Sequence, residues 1–202
     1  MYVKRTEERV TQGDILAKLE YRFPVFQAEK VEVAKITLSY AVVLTQDCDL
    51  EQDYKCRACS SQENSSNDKF LQSVLICPAY LAEQFKTGIH LEKLGLKMNT
   101  WSSEQWKSIT QNQNQRLHFL SEDPALEIED LIIDFKHYYT IPRDEMYESH
   151  KKLYLASLEI LFREDLSHRF THYLSRIGLP TVNKSDQGSG DRGINTFINS
   201  QS

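Results

Sequence analysis

Gly13-Asp14-Ile15-Leu16-Ala17-Lys18-Leu19 places a turn residue ahead of alternating apolar positions, the pattern of a strand with one face in a core. Arg22, Phe23 and Pro24 interrupt that pattern, so the first strand is predicted to end near Leu19. A second extended segment runs from Val31 to Leu44 and closes on Ala41-Val42-Val43-Leu44, whose β-branched residues suit a core strand better than a helix. Downstream, Phe70 to Cys77 reads as a third strand stopped by Pro78, and Ala79 to Lys86 as a short helix ended by Gly88. Ser102 or Ser103 can cap a further helix carrying Trp106 and Ile109, which the Gln/Asn-rich stretch from Gln111 to Gln115 weakens. Strand character returns at Arg116 to Leu120 and from Leu131 to Ile141, with Asp134 inside the second run and Pro142 closing it. Leu166, Phe170, Leu174 and Ile177 recur at helical spacing ahead of Gly178 and Pro180. Strands first, short helices inserted, more strands and a closing helix predict an α+β fold: a small, mostly antiparallel barrel or strongly bent sheet.

The 202 residues have room for one such domain, predicted over 1–180, with a polar insertion at 51–68 and a helical insertion at 79–112. The Ser-, Asn-, Gly- and Asp-rich tail at 181–202 offers little to bury and is predicted to be disordered. A net charge of -5 excludes a protein whose main role is coating a polyphosphate, because that binding depends on Lys and Arg releasing counterions. A local basic stripe is still compatible with it. The charged N-terminus lacks the apolar stretch of a secretory signal, and no apolar run approaches the ~18 residues of a membrane-spanning helix. The expectation is a cytoplasmic protein that does not engage the membrane.

Several of these segments resemble the MazF/PemK-type toxins, small barrels that in the family cut RNA. Gly13-Asp14-Ile15-Leu16 is similar to the start of their first strand, and Ala41-Val42-Val43-Leu44-Thr45-Gln46-Asp47 to a later one. Leu75-Ile76-Cys77-Pro78 and Leu131-Ile132-Ile133-Asp134-Phe135-Lys136, followed by Thr140-Ile141-Pro142-Arg143, follow in the same order. The resemblance implies an SH3-like β-barrel with inserted short helices and a C-terminal helix packed on it. It also implies an RNA-binding or RNA-cleaving role in a toxin-antitoxin or phage-defence setting, with RNA or a protein encoded nearby as partner and a homodimer as one form. The family's cleavage residues, an Arg before one long strand and a Ser or Thr after the next, fall here on Ser39 or Tyr40 and on Ala79. Arg22 and Thr45 are the nearest substitutes, so the resemblance carries fold more firmly than chemistry. Thr45 to Leu50 also matches the Ser/Thr-Gln-x-Cys-Asp-Leu turn of an uncharacterised bacterial group, which implies no activity.

Four constellations bear on chemistry. Asp47-Cys48-Asp49 sets a thiol between carboxylates, which oppose thiolate formation unless a cation or His stands opposite. His118 is the expected partner and Asp134 the orienting acid of a Cys48-dependent enzyme, against the plainer expectation of turn carboxylates around a buried thiol. Cys56-x-x-Cys59 has zinc-knuckle spacing, with Cys48 and Cys77 to complete a structural zinc site, the alternative being free thiols and no cofactor. Arg169, His172 and Arg176, with Arg163 nearby, define a basic helix face that together with Arg22, Lys136 and Arg143 could meet RNA phosphates, or could be an ordinary solvated face. Phe135, His137, Tyr138 and Tyr139 could stack bases or pack under the last helix.

Overall fold

The computed structural model describes residues 1–6, 8–27, 30–58 and 67–176. Cys59 and the tail at 181–202 lie outside them. The fold is mixed α+β, with mostly antiparallel strands in one curled, half-barrel sheet. The elements are β1 (Tyr2–Val3), β2 (Asp14–Gln27), β3 (Lys30–Val43), α1 (Asp47–Ala58), β4 (Ser73–Leu81), α2 (Ala82–Thr87), α3 (Ser103–Thr110), β5 (Leu117–Leu120), β6 (Leu131–Asp134), β7 (Tyr139–Pro142), α4 (Arg143–Leu153), β8 (Tyr154–Leu158) and α5 (Ile160–Leu174). The strand order is β1-β8-β2-β3-β4-β6-β5, with β7 pairing the first half of β4.

Alternation along the strands feeds separate apolar clusters. Ile15, Val42, Cys77, Leu131, Ile133 and Phe135 join Leu166 and Phe170 of α5 in one. Leu16, Leu19, Ala41, Val43, Val74 and Ile76 meet Leu50 of α1 and Met146 of α4 in another. A third cluster unites Phe85 of α2, Ile109 of α3, Leu117 and Ile132. Period-2 strands thus supply both faces, and helices cover each.

Pro142 closes β7 as expected, but Pro24 and Pro78, also predicted to stop strands, lie inside them. Pro24 pairs with Val33 on a stretch of β2 whose other edge has no partner strand among the described residues, since β8 pairs residues from Asp14 to Leu16. Pro78 pairs with Ala41 where the other edge of β4 passes from β7, whose pairing stops at Ile76 of β4, to β6, whose pairing starts at Ala79 of β4. Edges and partner changes are where a missing N–H is tolerated. Two further expectations are corrected. The polar stretch from Glu51 opens as a helix, α1, rather than a loop, and the predicted run from Leu131 to Ile141 is two strands folded at residues 135–138.

Asp14 fastens the start of β2. Its buried carboxylate accepts hydrogen bonds from Thr11 N (2.7 Å), Thr11 Oγ1 (2.7 Å) and Ser157 Oγ (2.5 Å), and lies 2.9 Å from His150 Nε2, joining β2 to β8 and α4. At α3 the Ser102 hydroxyl accepts from Gln105 N while the side-chain Oε1 of Gln105 accepts from Ser102 N, a reciprocal cap. Gly88 ends α2 at φ 76°, and a Cβ there would come within 2.6 Å of the Met98 carbonyl oxygen. Gly88→Ala should therefore lower stability by about 1–2 kcal/mol or more, read as a drop in the urea midpoint at unchanged slope.

Candidate functional site

Where β3 and β4 run side by side, the loop after α2 stands over them and leaves a groove of about 850 Å³, within the size range of small-ligand sites. Tyr40, Tyr80 and Tyr139 line it, all half-buried, together with His90. Lys18, Lys35 and Lys93 share the lining with Glu92 and Glu129, so cations outnumber anions there in a chain that is acidic overall.

The rings are held from behind. Tyr139 packs on Tyr21 at 4.4 Å between centroids. His90 stacks on Phe85 at 4.4 Å and meets the edge of Tyr80 at 4.8 Å. The Gln84 carbonyl influences His90, yet neither ring nitrogen makes a hydrogen bond within the described residues. Tyr80 Oη lies 3.0 Å from His137 Nδ1. Burial raises the phenol's pKa and lowers those of both imidazoles, so a neutral phenol and a neutral imidazole share that hydrogen bond at neutral pH.

Behind His137 stands Asp134, fully buried. Arg116 grips both its oxygens, Nε at 2.7 Å from Oδ1 and Nη2 against Oδ2, and Lys136 N donates to Oδ1 at 3.0 Å. His137 Nδ1 is 3.8 Å from Oδ2. Cys77 fills the gap in the β4 edge, its thiol donating to the His137 carbonyl at 2.7 Å. Burial pushes that thiol's pKa well up, which leaves Cys77 unreactive.

The expected Cys48–His118–Asp134 grouping is not assembled. Cys48 is exposed in the first turn of α1 and its sulfur lies 3.7 Å from both Gln46 Oε1 and Asp49 Oδ1. His118 is buried on β5 beside Phe135, and burial, reinforced by the Arg169 charge, lowers its pKa to about 3. Asp134 holds Arg116 instead, with the His137 ring 3.8 Å from its Oδ2. Asp47 pairs with Arg9 at 3.0 Å and Arg163 at 3.4 Å, while Asp49 is exposed. Among the described residues no group of three or more His, Cys, Asp or Glu side chains is gathered to hold a metal; Cys56 sits half-buried in α1, and Cys59 lies outside those residues.

The expected basic residues do not form one surface. Arg169 turns inward, donating to the backbone carbonyls of Asn112, Asn114 and Leu117, and so clamps α5 to the turn before β5. His172 and Arg176 remain exposed, with Arg176 over the Tyr173 ring at 4.0 Å. Arg22 stands exposed 3.8 Å from Glu20, Lys136 is exposed, and Arg143 binds Asp53. Tyr139 reaches the groove, whereas Phe135 packs beneath Phe170 and Tyr173. Tyr40, Tyr80 and His90 carried no sequence signal because each lies in a different segment; only the pairing of Tyr40 with Ala79 sets two of those segments side by side.

A comparison with protein-family models finds no match, and a comparison with curated proteins finds none either.

Proposed function

We propose that the groove binds single-stranded RNA and that the protein is a MazF/PemK-like, SH3-like barrel in which binding persists without the family's cleavage residues. The reading rests on one observation: three tyrosines and a histidine face a single groove among lysines, the combination that stacks bases while tracking a phosphate backbone. The places to which the resemblance assigns cleavage, Ser39 or Tyr40 and Ala79, all line this groove, and Tyr40 faces Ala79 across the β3–β4 ladder. None of the three supplies a cation or an acid. The nearest substitutes stand elsewhere, Arg22 beside Glu20 and Thr45 accepting from Leu75 N at 2.6 Å.

The test is retention of a fluorescent single-stranded RNA across a salt series. Wild type should bind with affinity that falls as salt rises, and Tyr40→Ala should weaken binding about 5- to 100-fold, the loss of one stacked base. Indifference to RNA at low salt would sink the reading. A second reading, a non-catalytic protein-interaction module, is favoured by the β2–β3 hairpin, where Phe26, Val31 and Val33 are 77%, 62% and 73% exposed. Co-purification with a neighbouring gene product through that hairpin, without RNA binding, would be its signature.

A further inference from the structure

Asp53 of α1 is fully buried, and the protein surrounds its single negative charge with two guanidinium groups. Arg57 Nε donates to Oδ1 at 2.7 Å, Arg143 Nε donates to Oδ2 at 2.8 Å, and Leu71 N adds a bond of 3.0 Å. One arginine would neutralise the carboxylate; the charge of the second is met by the exposed Asp144, 3.1 Å from Arg143 Nη1, which an incoming anion can displace. Each guanidinium is also fixed against a ring, Arg57 at 4.7 Å from the Phe70 centroid and Arg143 at 3.7 Å from that of Tyr147. Both arginines line an open cleft of about 310 Å³ with Gln72 and Asn67, between the end of α1 and the start of α4. Arg57 Nη2 donates to the Leu71 carbonyl and Arg143 Nη1 to Asp144, whose side chain is 84% exposed. Arg57 Nη1 has no acceptor among the described residues. Two guanidinium groups held rigid through their inner edges, with a donor left over, match the tetrahedral oxygens of a phosphate.

We propose that this cleft binds a phosphate group, with Arg57 and Arg143 as its ligating residues and Asp144 as a carboxylate that competes for Arg143. The cleft adjoins the first residues of β4 and the groove its last, so this site is independent of the RNA groove.

The experiment is calorimetric titration of the full chain with inorganic phosphate at low ionic strength. Wild type should show saturable binding, Arg57→Gln should weaken it about 10-fold or more, and Asp144→Asn should tighten it about 2- to 5-fold. Absence of saturable binding in wild type, or both variants within about twofold of it, would overturn the proposal. Should Arg57→Gln fail to fold, the exposed Asp144→Asn substitution decides. A 5′-phosphorylated and a 5′-hydroxyl trinucleotide, titrated into Tyr40→Ala so that the groove contributes little, separate the sources. Preference for the first assigns a terminal phosphate, equal binding an internal diester, and preference for the inorganic ion a free phosphate. Phosphate binding by a wild type that does not retain RNA would sink the groove alone; RNA retention by wild type without phosphate binding would sink this site alone.

Discussion

Asp134→Ala is expected to destabilise the protein by about 3 kcal/mol, the lower end of what removing one partner of a buried ion pair costs. Asp134 has no solvent exposure, and its loss strands Arg116 and the Lys136 amide, which bind its oxygens. The figure stays low in the range because the Arg116 side chain is 33% exposed and can recover water. Against a total of roughly 5–15 kcal/mol for a typical domain, that is a large fraction. The effect should extend to the groove, because His137 stands between Asp134 and Tyr80. Urea unfolding at neutral pH measures it, and a loss under about 1 kcal/mol would mean that Arg116 and His137 hold their places without the carboxylate.

The second large effect is a loss of stability in acid traceable to His118. Its folded pKa of about 3 lies below the ordinary 6.5, because burial and the Arg169 charge both disfavour the imidazolium. The folded protein therefore refuses a proton that the unfolded chain accepts. The neutral ring contributes fully above pH 6.5, and stability then falls by about 1.4 kcal/mol per unit as the pH drops from 6.5 towards 3. Its Nδ1 is buried without a hydrogen bond, so an apolar replacement gives up little there. His118→Leu should consequently lie close to wild type at pH 7.5 and be the more stable of the two by about 2 kcal/mol at pH 5. Thermal or urea melts of both proteins at the two pH values measure this. A difference that does not change with pH would show that His118 takes up its proton in the folded state.

The fate of the histidines shows how much of the site was legible. His118 stood out in the sequence because it lies within a strand pattern, and that same pattern buries it: β5 pairs with β6, and the sheet face beneath Phe135 receives the ring. His137 looked like one member of an aromatic run, yet the turn between β6 and β7 sets it against Asp134 three residues back and Tyr80 across the sheet. Arg169 illustrates the same limit, since helical periodicity places it on a face without revealing that the turn at residues 112–117 offers three carbonyls to it.

What the sequence by itself determined is whatever depends on neighbours within a few residues. Apolar alternation in β2 and β3, the reciprocal cap at Ser102 and Gln105, the glycine end of α2 and the apolar pair Leu166 and Phe170 of α5 are all local, and all emerge in the fold, whereas Leu174 ends α5 exposed. Tertiary structure alone decided that β2 and β4 run through their prolines, because tolerance of a missing N–H depends on which edge lacks a partner. It alone brought Tyr40, Tyr80, His90 and Tyr139 to one groove and two arginines to one buried carboxylate. Such sites are made of contacts between residues tens of positions apart, which strand pairing creates and periodicity does not encode.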